Sequence, residues 1–526
     1  MRNFQRPGRS PVMAPSAMVS TSHPLATQAG IDILKSGGNA VDAAIAACAT
    51  LCVVEPAMTG IGGDCFVLYS PYNSSTPIAL NGSGRSPAAA NATTLIEKGI
   101  ENIQVETPHA VNVPGAIAAW TKLNEDFGTK DLTELLKPAI NYAANGFPVA
   151  PRVALDWADN LPKLLSDEIS SRILTVNGKA PSTGSKFEQP LLGKTLTKIA
   201  TGGRDAFYIG EIAEDIVARL NDLGGLHTLD DFASCSADYV EPINTLYNNH
   251  TISECPPNGQ GICALIILRV LSRYNLKCLN EADRIHLLAE ATKLAYHQRN
   301  AYISDPSFSE IPVDWLLSDE HITALQKQID MTKSKSYGPA DFPNHSDTTY
   351  LCCVDRDGNA ISFINSLFSA FGSGIMAPKT GVVLQNRGSS FNLNSSHVNC
   401  IEGGKRPMHT IIPGMVTKSS KTIAPFGVMG GQYQSTGHAN FISNVLDLGF
   451  DIQQAMDQPR SFAIDGRLQM EENFAPSILA DLEKRGHQIE KMSKPLGGSQ
   501  CIWINHEDGV LIGGSDPRKD GCAMGY

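Results

Sequence analysis

A threonine released as the first residue of a chain can be nucleophile and base at once, because its free α-amine, with a pKa of about 8, accepts the proton of its own hydroxyl. Thr348 stands where such a residue could be made. Before it, residues 331–347 are polar and rich in breakers, reading as a flexible linker that ends in His-Ser-Asp347. After it, Thr348 to Val354 is β-rich, Asp355-Arg356-Asp357-Gly358-Asn359 predicts a hairpin turn, and Ala360 to Asn365 predicts the return strand. A Thr-Thr pair entering a strand is by itself ordinary β-propensity. Its place at a linker-to-strand junction is what gives it chemical meaning, since a nucleophile must sit at the rigid end of an element. The β-methyl also narrows χ1, helping to hold the hydroxyl in one direction.

The elements that must position this junction are legible upstream. From His23 the pattern turns helical, with Leu25, Ala29, Ile33 and Leu34 on one face and Gly37-Gly38-Asn39 as the stop. Ala40 to about Val54 is almost uniformly small and apolar, which predicts a helix buried on most sides. Glu55-Pro56 breaks it, and Thr59-Gly60-Ile61-Gly62-Gly63-Asp64 turns the chain into a strand from Cys65 to Tyr69. That glycine-rich turn precedes a strand and lacks the Lys-Ser/Thr of a phosphate loop, so it reads as a tight turn. Residues 115–235 read as mainly helical. Pro256 to Gly261 feeds an apolar helix from Ile262 to Leu271, and an amphipathic helix is expected from about Ala282 to Tyr302.

Composition narrows the partners. A chain of 526 residues with 42% hydrophobic content is globular and long enough for two lobes or one large layered domain. Its net charge of −11, with scattered Lys and Arg, argues against nucleic acid. No apolar run suits a signal-peptide core or a membrane span, so the expected compartment is the cytoplasm. The twelve cysteines, among them Cys48, Cys52 and the adjacent Cys352 and Cys353, show neither CxxC pairs nor zinc spacing. Reduced, buried thiols are expected, with no metal and no cofactor.

Further motifs surround the junction: Gly37 to Ala44, Gly60 to Asp64, Val113-Pro114-Gly115, Pro256 to Gly261, Phe371-Gly372-Ser373-Gly374, Lys405-Arg406-Pro407, Gly430-Gly431 and Asp516-Pro517-Arg518. With Asp347-Thr348-Thr349 and Cys353 to Ala360, they lie in the order found in the gamma-glutamyltranspeptidase family, and over nearly the whole chain the sequence resembles that family. The resemblance implies an α+β, four-layer αββα sandwich of the N-terminal nucleophile hydrolases. It implies cleavage between Asp347 and Thr348, giving a large subunit, 1–347, and a small one, 348–526, that together build one sandwich. Thr348 would be the nucleophile. Thr349 and Ser366 match hydroxyls that steady it, Ser366 replacing the usual threonine. Gly430 and Gly431 match the pair whose N–H groups form the oxyanion hole.

Departures from the family bear on substrate. Where gamma-glutamyl enzymes carry an acid for the donor's α-ammonium, in an Asn-Gln-x-Asp-Asp-Phe pattern, this chain reads Asn386-Arg387-Gly388-Ser389-Ser390-Phe391. Ser390 takes the acid's place and Arg387 adds a cation beside it. The paired serines become His409-Thr410, and Phe368 replaces an asparagine near the nucleophile. Arg85 lies close to the position of the family's carboxylate-binding arginine, with a register shift of two residues against the following proline. These variants resemble the branch holding oxamate amidohydrolase and the cephalosporin acylases. A tight cationic pocket suits a small carboxylate-bearing amide, with oxamate first, hydrolysed to oxalate and ammonia. Two rivals remain: a gamma-glutamyltransferase or glutathione hydrolase, and an unprocessed, non-enzymatic binding protein on the same fold. Whether several copies assemble is open.

Overall fold

The computed structural model describes residues 8–337 and 348–526. Asp347 and most of the expected linker therefore lie outside the described residues. Two seven-stranded sheets form the centre. One runs in the order Cys522–Gly525, Met18–Thr21, Thr349–Val354, Ala360–Ser366, Asp64–Ser70, Ile78–Gly82, Asp238–Val240. The other runs Val12–Ala14, Val510–Ser515, Gly498–Asn505, Lys421–Met429, Gly414–Lys418, His250–Glu254, Ile243–Tyr247. All neighbouring strands in both sheets are antiparallel.

Alternating side chains explain the layers. Phe66, Leu68, Tyr350, Cys352 and Ile364 from the first sheet meet Met415, Met429, Ile502 and Leu511 from the second in one buried cluster between the sheets. The opposite face of the first sheet packs through Val67, Leu351, Cys353 and Phe363 against the Ala40–Val54 helix and its neighbours. The second sheet packs through Ile252, Val416, Phe426 and Val428 against the helices Gly261–Leu271, Glu281–Tyr302 and Gln434–Leu446. This is the four-layer αββα sandwich.

Several expected elements fall where the pattern placed them. The helix Pro24–Lys35 starts at an N-capping His23, and Ala40–Val54, buried along its whole length, starts at a capping box between Asn39 and Asp42. The hairpin pairs Thr349 with Asn365 and Val354 with Ala360, and Asp355 closes its turn by accepting from the N–H groups of Asp357 and Asn359. The helix Glu281–Tyr302 corrects its expected amphipathic character. Its buried residues include Leu287, Leu288, Glu290, Ala291, Thr292 and Tyr296, because it is covered by neighbouring helices as well as by the sheet side of the core. Thiol pairing is absent among the described residues, and ten of the twelve cysteines are buried, Cys278 being exposed and Cys522 half-buried. No described helix is long and apolar enough to cross a membrane.

Candidate active site

Thr348 stands immediately before the strand Thr349–Val354, which pairs with the central strand Ala360–Ser366 of the first sheet, and is only 1% exposed. Its Oγ1 lies 3.2 Å from Ser366 Oγ, at the end of the partner strand, and 3.5 Å from Gln434 Nε2. Ser366 Oγ also accepts from the N–H of Phe368 at 2.9 Å, which fixes the serine's oxygen toward the nucleophile. Thr349, next along the strand, points its hydroxyl instead to the carbonyl of Asn365, 3.3 Å away.

From Phe368 the contacts continue around a closed ring. Its backbone takes φ +81°, a left-handed value that bulky residues rarely adopt, and its ring lies 3.6 Å from the Arg387 guanidinium carbon. Arg387 Nη1 donates to Thr410 Oγ1 at 3.0 Å. The Thr410 carbonyl accepts from Gln260 Nε2 at 3.0 Å, and the same amide reaches the Gly431 carbonyl at 3.2 Å. Three residues after Gly431, Gln434 returns to Thr348. The ring thus links Thr348, Ser366, Phe368, Arg387, Thr410 and Gly431 through consecutive contacts.

Arg387 is the unusual member. It has no exposed surface, and its Nε and Nη2 have no hydrogen-bond partner among the described residues. Burial pulls its pKa well below the ordinary guanidinium value, and only the charge of Asp64 pushes the other way. Ser390, on the same one-turn helix Arg387–Ser390, also has a buried hydroxyl without a partner among the described residues.

His409 and Arg85 have other contacts. His409 Nε2 bonds Asp64 Oδ2 at 3.0 Å while its Nδ1 accepts from the Ile411 N–H at 3.3 Å, so both ring nitrogens are occupied. Its pKa is pushed down to about 4 by burial, assisted by the Arg387 charge and opposed by Asp64, so the ring is neutral at pH 7. Asp64 in turn accepts from the N–H groups of Gly84 and Gly115 and from Gln385 Nε2. Arg85 is part-exposed and donates to the Gly404 carbonyl at 3.0 Å, with Asp305 at 3.4 Å and Asp238 at 3.8 Å.

The Gly430-Gly431 corner follows the strand Lys421–Met429. Gly430 has φ +126°, and a Cβ there would meet Gly497 Cα at 2.8 Å. The corner is anchored from below: Arg299 Nη1 bonds the side-chain oxygens of Gln260 and Gln432, and the Tyr296 hydroxyl donates to the Gln432 carbonyl. Sequence reasoning took Asp64 only as part of a turn and passed over Gln434. The one signal for Gln434 was its place three residues beyond the Gly-Gly pair.

With this geometry in hand, comparisons with known proteins agree on one family. The Gamma-glutamyltranspeptidase family model matches residues 26–526. The glutathione hydrolase-like YwrD proenzyme of Bacillus subtilis is 38% identical, over 98% of this chain and 99% of its own. The oxamate amidohydrolase proenzyme of Klebsiella pneumoniae is 34% identical, over 97% of this chain and 98% of its own. The crystal structure of a cephalosporin acylase from Bacillus halodurans superimposes with a TM-score of 0.92 at 37% identity, covering 100% of this chain and 99% of that one.

Proposed function

Because the chain belongs to the gamma-glutamyltranspeptidase family and is an amide-hydrolysing enzyme, we propose that it cuts itself before Thr348 and then hydrolyses a small carboxylate-bearing amide, with oxamate as the first candidate. The observation that carries the substrate class is Arg387: a fully buried guanidinium with two unpartnered donors among the described residues, over the ring of Phe368 and three linked contacts from the nucleophile. A carboxylate placed on Nε and Nη2 would be held in a two-point grip and would offset the desolvation of the cation. An α-ammonium group would instead meet a like charge, with Ser390 where gamma-glutamyl enzymes place an acid. That difference weighs against glutathione hydrolysis, which the name of the Bacillus subtilis relative suggests.

In this reading cleavage frees two subunits, 1–347 and 348–526, in line with the proenzyme names of both relatives. The Thr348 amine takes the hydroxyl proton and Oγ1 attacks the amide carbonyl, while the N–H groups of Gly430 and Gly431 receive the developing oxyanion. The C–N bond breaks and the amine returns the proton to the leaving nitrogen, which departs as ammonia. Water then hydrolyses the acyl-threonine ester, giving the dicarboxylate and restoring the hydroxyl. Ser366 and Gln434 hold Oγ1 in line. His409, with both nitrogens engaged, steadies Asp64 behind the cation and does not grip substrate. Arg85 stands outside the grip, committed to Asp305 and Gly404.

Ammonia release from oxamate, succinamate and glutamine by the processed enzyme tests the reading. Oxamate should be preferred, and Arg387→Gln should lower its kcat/KM by at least about 30-fold, as expected for removing a charged partner worth roughly 2–5 kcal/mol. Preference for glutamine, or an unchanged rate in Arg387→Gln, would exclude the anionic pocket while leaving the threonine chemistry standing.

A further inference from the structure

On the far side of the second sheet, the helix Glu281–Tyr302 carries His286 and Glu290, one turn apart. His487, two hundred residues later in sequence and just beyond the helix Pro476–Lys484, reaches into the same spot. All three are buried, and one ligand atom from each lies within 4.8 Å of the others. His286 Nδ1 faces His487 Nε2 at 2.7 Å, and His286 Nε2 faces the Asp330 carbonyl at 2.8 Å. A carbonyl can only accept, so the proton of neutral His286 sits on Nε2 and the Nδ1 lone pair points into the cluster. Glu290 is oriented by Lys293 and, at 3.4 Å, by the N–H of Lys335.

We propose that His286, Glu290 and His487 form a zinc site. Two imidazoles and a carboxylate are a zinc donor set, and a backbone carbonyl fixing the far nitrogen of one imidazole is the support such ligands receive. Tetrahedral zinc, with bonds of about 2.0–2.2 Å, separates its ligand atoms by about 3.3–3.5 Å, so side-chain shifts of about 1 Å suffice. Water for a fourth position is supplied by an adjoining cavity of about 570 Å³, lined by His487, Lys293 and Tyr337 among others. Nothing in the linear spacing announces this group, which is why no metal was expected from the sequence. His286 and Glu290 lie before Thr348 and His487 after it, so the ion ties the two fragments together. The tie rests on the cleavage proposed above, whereas the site itself does not.

The experiment is a zinc titration by calorimetry on tag-free wild type, His487→Gln and Glu290→Gln, repeated on uncleaved Thr348→Ala. Glutamine at 487 can still donate to His286 Nδ1, so the variant keeps the hydrogen bond and loses the imidazole. The expected result is one zinc per wild-type chain and per Thr348→Ala chain, a melting temperature that rises with zinc, and affinity weakened by more than about tenfold in either ligand variant. Cobalt in the same site should give the visible d–d bands of four-coordinate geometry. No saturable binding by either the wild type or Thr348→Ala, or binding in His487→Gln and Glu290→Gln equal to that of the wild type, would overturn the proposal. Binding by Thr348→Ala but not by processed enzyme would keep the site and remove the tie.

Discussion

A guanidinium with no exposed surface carries a desolvation cost that the Thr410 hydroxyl and the charge of Asp64 only partly offset. If Arg387 is there for substrate, removing its charge should relieve the empty protein. Arg387→Gln is therefore expected to melt at or above the wild-type temperature while losing oxamate hydrolysis. A loss of about 3–5 kcal/mol, the cost of breaking a buried structural pair, would make Arg387 a scaffold residue instead. The residue types at this site were legible through resemblance: Thr348, Ser366, Arg387, Thr410 and Gly431 all lie on one ring of contacts. Their partners were not legible. That His409 spends Nε2 on Asp64, or that Gln434 reaches Thr348, depends on segments far apart in sequence.

At the scale of elements, the hairpin and the glycine turn before Asp64 have to meet. A Cβ on Gly63 would lie 2.1 Å from the Ser366 carbonyl oxygen, and one on Gly62 would lie 2.1 Å from that of Val383. Neither neighbour is a side chain that can swing aside. Gly63→Ala should lower the urea midpoint by the equivalent of about 1–3 kcal/mol or more and, by pushing the strand end that carries Ser366, slow self-cleavage. A variant with wild-type midpoint and wild-type processing would show that the turn does not set the position of Ser366. Local pattern sufficed for this region because strand, turn and cap residues are each dictated within a few positions. It also placed the helix Glu281–Tyr302 within one residue, but missed that its polar residues Glu290, Thr292 and Arg299 are buried, through partners no periodicity can register.

On the scale of the whole molecule, both sheets take strands from either side of Thr348, so the two segments cannot fold as separate lobes. The sequence left two lobes or one layered domain open, and the interleaving settles it. Burial also sets a pH response. His23, His227 and His409 are pushed down to about 4 by burial, against an ordinary value of about 6.5. Between those values the unfolded chain binds more protons than the folded one, so stability is lost as pH falls from about 6.5 toward 4. Glu55, raised to about 7 by burial, works in the opposite sense between about 7 and 4.5, as do Glu254, Asp457 and Asp465, also raised by burial, while His109, His250 and His321, lowered by burial, add to the loss on the acid side. Melting temperature should therefore fall across that window, and a flat or rising profile would mean these imidazoles are not held neutral. The most direct test of the chemistry is N-terminal sequencing and mass analysis of purified wild type beside Thr348→Ala. Wild type should give two fragments, the smaller beginning Thr-Thr-Tyr-Leu, and Thr348→Ala one full-length chain. Cleavage of Thr348→Ala at that same bond, or a wild type that stays whole through long incubation, would contradict Thr348 as the self-released nucleophile.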